Sequence, residues 1–240
     1  MDKKKIVQII ENFAPLELAE AWDCSGWLVE TDKAEVNKVM LCLTVTDDIV
    51  RQAKSQNCDM IISHHPLFEI NCHSELVSES MKPEIDIYCA HTNLDRTQGG
   101  TTDKLLKTLD LTVSEIGEDG FVRYSTCKTS VKDFAQKLCQ ISKNVRLVNN
   151  KNVTELNKIA FCSGSGSEFI KEAISNGADA YVTGDLKFHT AVESDIVLFD
   201  IGHFESEVPV LEVFKNLLQN GVEVVFADEK SPFETISCSK

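Results

Sequence analysis

The sequence predicts an α/β fold made of two similar lobes, related by an internal pseudo-twofold and facing each other across a cleft. Three observations predict it. Short apolar runs such as Met60-Ile61-Ile62 are too brief for amphipathic helices and read as strands of a parallel sheet buried on both faces; stretches of helical spacing alternate with them. A stretch of the first half recurs in the second at a constant offset, Asn37 against Asn157. Histidines and carboxylates gather just past the predicted strands, at the ends where open α/β sheets keep their sites.

Residues 3–13 place Ile6, Ile9, Ile10 and Phe13 at helical spacing, and Pro15 stops the helix. Trp22-Asp23-Cys24-Ser25-Gly26-Trp27-Leu28-Val29 reads as a turn entering an extended piece. A strand over 39–43 and a helix over 47–55 follow, capped by Thr46 or Asp47, whose side-chain oxygen can accept from the open amides of the first turn. The strand at 60–62 runs into Ser63-His64-His65-Pro66. Neighbours in a strand point to opposite faces, so the two histidines can serve one site only if the chain turns there. Pro66 favours this, biasing His65 away from the α region and offering no donor to a ladder. A longer connection through Pro83 leads to a strand at 87–90 and a helix at 101–109. After 113–116, residues 121–127 alternate like a strand and 131–139 have helical spacing, while the polar stretch 144–155 reads as the join between halves. The lobes are accordingly 1–127, opening with a helix and an extended segment over 1–36, and 128–240.

Asn37-Lys38-Val39-Met40-Leu41-Cys42 answers Asn157-Lys158-Ile159-Ala160-Phe161-Cys162, Ala53 answers Ala173, and Asp59 answers Asp179, in one ungapped register. Such a register signals internal duplication. The next strands correspond at an offset of 112: Ile87-Tyr88-Cys89-Ala90-His91 answers Leu198-Phe199-Asp200-Ile201-Gly202-His203. Each histidine is followed four residues later by a carboxylate, Asp95 or Glu207, and each leads into a helix. Two lobes so related bring the matching strand ends together across the cleft.

The 240 residues allow a substantial core. A net charge of −14, from 38 acidic and 24 basic residues, argues against a surface that neutralises nucleic-acid phosphates. Nine cysteines, odd in number and without a Cys-x-x-Cys pair, suit reduced thiols in a cytoplasmic protein. The apolar run at 6–10 ends at Glu11, too short for a signal peptide, and no 18 consecutive apolar residues mark a membrane span.

The chemistry-bearing set is His64, His65, His91, Asp95, Asp185, His189, His203 and Glu207. Imidazoles and carboxylates without thiolates suit zinc, manganese, iron(II) or cobalt. Two such ions about 3.5–4 Å apart hold a bridging hydroxide and clamp a phosphoryl or carbonyl oxygen, which makes hydrolysis the natural reaction. His203 and Glu207 taken alone read as an ordinary helix-start pair; the same spacing at His91 and Asp95 turns that reading toward a site. Lys187 reads equally as a surface lysine or a phosphate contact, Gly164-Ser165-Gly166 resembles a phosphate-binding turn before a helix, and His73 reads as a solvated residue of a polar connection.

Trp22-Asp23-Cys24-Ser25-Gly26, Ser63-His64-His65-Pro66-Leu67, Ala90-His91-Thr92-Asn93-Leu94-Asp95, Thr183-Gly184-Asp185-Leu186-Lys187-Phe188-His189 and Gly202-His203-Phe204-Glu205-Ser206-Glu207, in this order along the whole chain, resemble the Nif-three-like family, whose members are labelled GTP cyclohydrolase I type 2 homologues. The resemblance implies a two-lobed α/β fold, a ring-shaped homohexamer and a dinuclear metal centre in the cleft. Carried over residue by residue, it implies His64, His65, Asp95, His203 and Glu207 as metal ligands, with His91, Asp185 and His189 as supporting, substrate-side or catalytic groups. It points to a metal-dependent hydrolase of a nucleotide or other phosphorylated small molecule. A phosphodiesterase or nuclease using the same ions, or a non-catalytic metal-binding interaction protein, are the alternatives. One departure is visible: Thr44 stands where many members carry Asp.

Overall fold

The computed structural model describes residues 1–66 and 84–236; Leu67, His73 and the connection through Pro83 lie outside the described residues. The first unit begins with α1 (Lys3–Phe13), β1 (Gly26–Val29), β2 (Lys38–Cys42), α2 (Asp47–Ser55), β3 (Met60–Ser63), β4 (Asp86–Cys89) and α3 (Thr92–Arg96). The second holds α4 (Thr101–Thr108), β5 (Glu115–Ile116), β6 (Arg123–Ser130), α5 (Val131–Leu138), β7 (Arg146–Val148), β8 (Glu155–Phe161), α6 (Ile170–Ser175), β9 (Ala180–Thr183), α7 (Phe188–Glu193), β10 (Val197–Asp200) and α8 (His203–Glu207). The chain then returns to the first unit with α9 (Leu211–Leu218) and β11 (Glu223–Phe226). Chain order placed a boundary at 127; packing assigns 101–127 to the second unit and 210–229 to the first. The reason is strand pairing: β6 forms an antiparallel ladder with β8, and β11 adds in parallel to β2.

In the first unit the sheet runs β1-β4-β3-β2-β11, parallel except for β1 at its edge. Every residue of β3 and β4 is buried, as uninterrupted apolar runs require. Met40, Cys42, Val45, Ile49, Ala53, Ile61 and Ile87 form the core between this sheet and α2. Thr46 caps α2 by accepting from the Ile49 amide, and Asp47 and Asp48 sit in its first turn, where the helix dipole favours negative charge. Asp2 caps α1 in the same way through the Lys4 amide at 2.7 Å.

The second unit's sheet runs β5-β6-β8-β9-β10-β7, with the central strands β8, β9 and β10 parallel. Leu105, Phe134, Phe161, Val182 and Phe199 pack one face, with Phe134 edge-on to both Phe161 and Phe199. Part of the polar segment 144–155 is a strand after all. β7 pairs antiparallel with β10 at the sheet edge, where Arg146 and Leu147 stay exposed, and no apolar run marks it.

Within each unit the repeated segments make the same bonds. Val39 pairs with Met60 as Ile159 pairs with Ala180. Asp59 accepts the Asn37 amide at 2.8 Å as Asp179 accepts that of Asn157 at 2.7 Å, and the Ala90 amide reaches Ser63 O as the Ile201 amide reaches Thr183 O. The last two strands align at an offset of 111, because Met60 faces Asp86 while Ala180 faces Val197. The extra residue before His203 is Gly202, whose φ of 88° suits glycine and not a side-chain-bearing residue.

A buried charge fixes the helix that opens the second unit. Arg123 is fully buried; its Nε donates to Asp103 of α4 at 2.5 Å and its Nη1 to Gly120 O at 2.6 Å. Asp103→Ala removes the carboxylate that neutralises this guanidinium and is expected to cost about 3–5 kcal/mol. Glu115→Ala, which breaks the more exposed pair with Lys158, is expected to cost less than about 1 kcal/mol. Denaturant midpoints compare the two, and equal losses would show that the buried charge has no special role.

Candidate metal centre

The first unit gathers its candidate ligands where β3 stops. The His64 amide donates to Cys42 O and that of His65 to Leu43 O, while Ser63 Oγ reaches forward to His65 O at 2.9 Å. The backbone bends over both histidines, so the two rings come together at 5.0 Å between centroids instead of pointing to opposite faces. Both are buried, at 0% and 7% exposure. His64 Nδ1 lies 3.0 Å from Ala90 O, a carbonyl that can only accept, so Nδ1 carries a proton and Nε2 is the nitrogen left to face the site. That nitrogen stands 3.6 Å from Oδ1 of Asp95, a spacing that suits two ligands each about 2.1 Å from one ion. His65 Nδ1 meets Thr44 Oγ1 at 2.7 Å. Thr44 therefore orients a ring with its hydroxyl, and the Leu43 and Thr44 amides donate to Glu229 at 2.5 and 3.4 Å, which braces the turn that carries it.

His91 joins them at the end of β4. Its ring lies 5.2 Å from that of His64 and 5.7 Å from that of His65, and one nitrogen of each of the three lies within 4.8 Å of the others. Asp23 holds it. Oδ1 faces His91 Nδ1 at 2.9 Å, while Oδ2 accepts from Thr92 Oγ1 at 2.5 Å, the Thr92 amide at 3.1 Å and Ser25 Oγ at 2.7 Å. Burial pushes the Asp23 carboxyl up, but the bonds from His91, Thr92 and Ser25 outweigh it and hold it well below the usual carboxylate range. A carboxylate that fixes one ring nitrogen and points the other into a site is the usual support of a metal-binding or proton-transferring histidine.

The second unit presents a different arrangement at the matching strand ends. His203 starts α8 and lies between two carboxylates, with Nε2 3.0 Å from Glu207 and Nδ1 2.7 Å from Asp185. Asp185 sits at the end of β9 with φ of 52°, a left-handed conformation that Asp tolerates better than most residues. Gly164, with φ of 67°, backs the pair: a Cβ there would collide with Oε1 of Glu207 and lie 3.4 Å from Nε2 of His203. Asp200, nearly fully buried, accepts from the Leu186 and Gly202 amides, each at 3.0 Å, and pairs with Arg146. It thereby ties together the two loops that carry Asp185 and His203.

Of the sequence-selected residues, His64, His65, His91 and Asp95 are gathered in the first unit and Asp185, His203 and Glu207 in the second. His189 is exposed on α7 beside Phe188 and joins no such cluster among the described residues; Lys187 is exposed at the start of the same helix. Gly164 proves to be a close-approach glycine under Glu207. The supporting residues Asp23, Glu229 and Asp200 escape sequence reasoning except for the Trp-Asp-Cys-Ser motif, which carries Asp23 without saying what it holds.

Three comparisons bear on these geometries. A family described as Duf34/NIF3 (NGG1p interacting factor 3) matches residues 1–232. A curated relative from Clostridium perfringens, called a GTP cyclohydrolase 1 type 2 homolog, is 31% identical over 98% of this chain and all of its own length. Among solved structures, reduced HcgD from Methanocaldococcus jannaschii is 29% identical with a TM-score of 0.80, covering 95% of this chain and 98% of that one. A hypothetical protein of Staphylococcus aureus, at 23% identity and a TM-score of 0.84, covers 98% and 99% and shares the fold.

The charge on His203 is measurable in metal-free protein. Burial alone would lower its pKa, but Glu207 and then Asp185 outweigh burial and raise it from 6.5 to about 9. A folded value above the unfolded one means that the stabilisation is fully present below about 6.5 and is lost as pH rises through about 9. NMR titration of the His203 ring is expected to give a midpoint near 9, with thermal stability falling over the same window and the midpoint dropping in Asp185→Asn. A midpoint at or below 6.5 contradicts the two-carboxylate geometry.

Proposed function

The chain belongs to the Duf34/NIF3 (NGG1p interacting factor 3) family, and from that premise we propose that it is a dinuclear, divalent-metal-dependent hydrolase of a nucleotide or another phosphorylated small molecule. The ligands in this reading are His64, His65, Asp95, His203 and Glu207. The observation that carries it is the pair of His64 and His65, rings 5.0 Å apart at the end of a buried strand, with Oδ1 of Asp95 3.6 Å from Nε2 of His64. The donor set is imidazole and carboxylate without thiolate, which fits zinc, manganese, iron(II) or cobalt. Bound there, such ions lower the pKa of a water and polarise a phosphoryl or carbonyl oxygen.

The chain's own residues do the rest. Ala90 O and Thr44 fix the Nδ1 side of His64 and His65 and turn the opposite nitrogen of each ring into the site. Asp23 does the same for His91, whose Nε2 is then placed to take or give a proton during hydrolysis. Asp185 holds the His203 ring in the orientation that presents Nε2 beside Glu207. His189, exposed on α7, belongs to the substrate side. The relatives' label makes a purine nucleotide the first substrate to try. Assembly into a ring of six chains and a cytoplasmic location complete the reading; the free thiols of the described cysteines are in keeping with the latter. No helix among the described residues is long and apolar enough to cross a membrane. The family description, an interacting factor, favours one second reading, a metal-binding protein that recruits partners without catalysis.

A screen of metal-reconstituted protein against nucleotides and phosphoesters tests the proposal; inertness throughout, with metal bound, supports the second reading. Elemental analysis is expected to approach two equivalents per chain, and a reproducible value of one or less sinks the dinuclear centre. Glu207→Gln is expected to lose metal far more than Glu205→Gln, because the amide keeps the shape and removes the charge a divalent ion needs. Equal metal content in the two variants would show that the wrong carboxylate has been chosen.

A further inference from the structure

Trp22 is an exposed aromatic at the rim of the histidine cluster, on a turn tied down at both ends. It is 68% exposed, although tryptophan is one of the side chains that burial favours most. Its surroundings explain why it cannot simply fold away. The turn that carries it is closed by the Asp23 amide donating to Glu20 O at 2.9 Å. Both ends of that turn are fastened to α3: the Glu20 amide donates to Thr92 Oγ1 at 2.9 Å, the Glu20 carboxylate pairs with Arg96, and Asp23 grips His91 and Thr92. The indole stands edge-on to the His91 ring, 6.2 Å between centroids at 77°. The bond network that orients His91 therefore also fixes the turn that carries Trp22, and most of the indole surface is open.

We propose that Trp22 is the platform on which a planar heteroaromatic ring of the ligand stacks, with the ligand's phosphate turned toward the histidine cluster. This rests on the reading of that cluster as a metal-dependent phosphate site, and it narrows the ligand to a nucleotide or a similar ring-bearing phosphate. An indole face attracts any flat base, and because the turn is already ordered, little conformational entropy is lost on binding. Stacking of this kind changes affinity by about tenfold or more when the ring is removed. Trp27, the chain's other tryptophan, cannot play this part: it is partly buried, edge-on to Tyr88 at 5.4 Å, with the Lys3 ammonium 5.2 Å from its ring centre.

The test uses the full chain, metal-reconstituted and metal-free, with guanosine, adenosine and cytidine monophosphates as probes and ribose 5-phosphate as the ringless control. In Trp27→Phe protein, where Trp22 is the sole tryptophan, the nucleotides are expected to quench its emission saturably and ribose 5-phosphate is not. By calorimetry, Trp22→Ala in the otherwise native chain is expected to weaken nucleotide binding at least about tenfold and Trp22→Phe to restore most of it. Three outcomes overturn the platform: no nucleotide binding tighter than ribose 5-phosphate, unchanged affinity in Trp22→Ala, or emission that follows protein concentration and not ligand, which would mark a contact between chains. Quenching that persists without metal and without turnover keeps the platform while the hydrolase reading fails, so the two failures are told apart.

Discussion

Two adjacent histidines can share one site only where the backbone has stopped being a strand, and the first unit is arranged to meet that constraint. A straight continuation of β3 would send His64 and His65 to opposite faces. Instead, Cys42 O and Leu43 O take their amides, Ser63 Oγ closes on His65 O, and Cys89 Sγ donates to His64 O at 3.0 Å. The bend thus makes its polar bonds to β2, to β4 and within itself, and no regular ladder is needed at a fully buried position. The flanking strands must be buried and parallel for this to work, since they supply the carbonyls at the right height. The strand register, the burial of β3 and β4 and the meeting of the two rings are consequences of one another.

Burial of imidazoles creates a second demand, that each ring nitrogen have a defined role. In the first unit, neutral or weakly polar partners meet it for two rings, Ala90 O for His64 and Thr44 for His65, while a carboxylate, Asp23, serves His91. Each ring thus has one nitrogen held, and one nitrogen of each lies within 4.8 Å of the others. In the second unit His203 is flanked by two carboxylates, so the metal-free ring is held as a cation itself. A divalent ion arriving at Nε2 would have to displace that proton, which couples metal affinity to pH.

The repeated segments show how much a shared strand-pairing pattern fixes and how little of the chemistry it dictates. Asp59 and Asp179 bind equivalent amides, and the strands pair in equivalent registers. Yet His64 and His65 correspond to Gly184 and Asp185, and Gly202 takes the place of His91, so that His203 is the first residue of α8 whereas His91 stands just before α3. Backbone hydrogen bonding constrains the strands, while the loop after each strand is free to diverge.

The sequence by itself determined the elements whose signal is local. Apolar runs marked β2, β3 and β4, helical spacing marked α1, α2 and α5, and the constant register carried the pattern of β2 and β3 onto β8 and β9. It also picked out the histidines and carboxylates, because they stand just past those strands. Tertiary structure alone decided what holds them. Asp23 reaches His91 across 68 residues of chain, Leu43 and Thr44 are tied by Glu229 from 186 and 185 residues away, and Asp200 joins the loops of Asp185 and His203. It decided also that 210–229 completes the first unit and that a polar stretch supplies β7. Periodicity reports which face of an element is buried, whereas a carboxylate's partner depends on where distant segments cross, and no local pattern of residues encodes that.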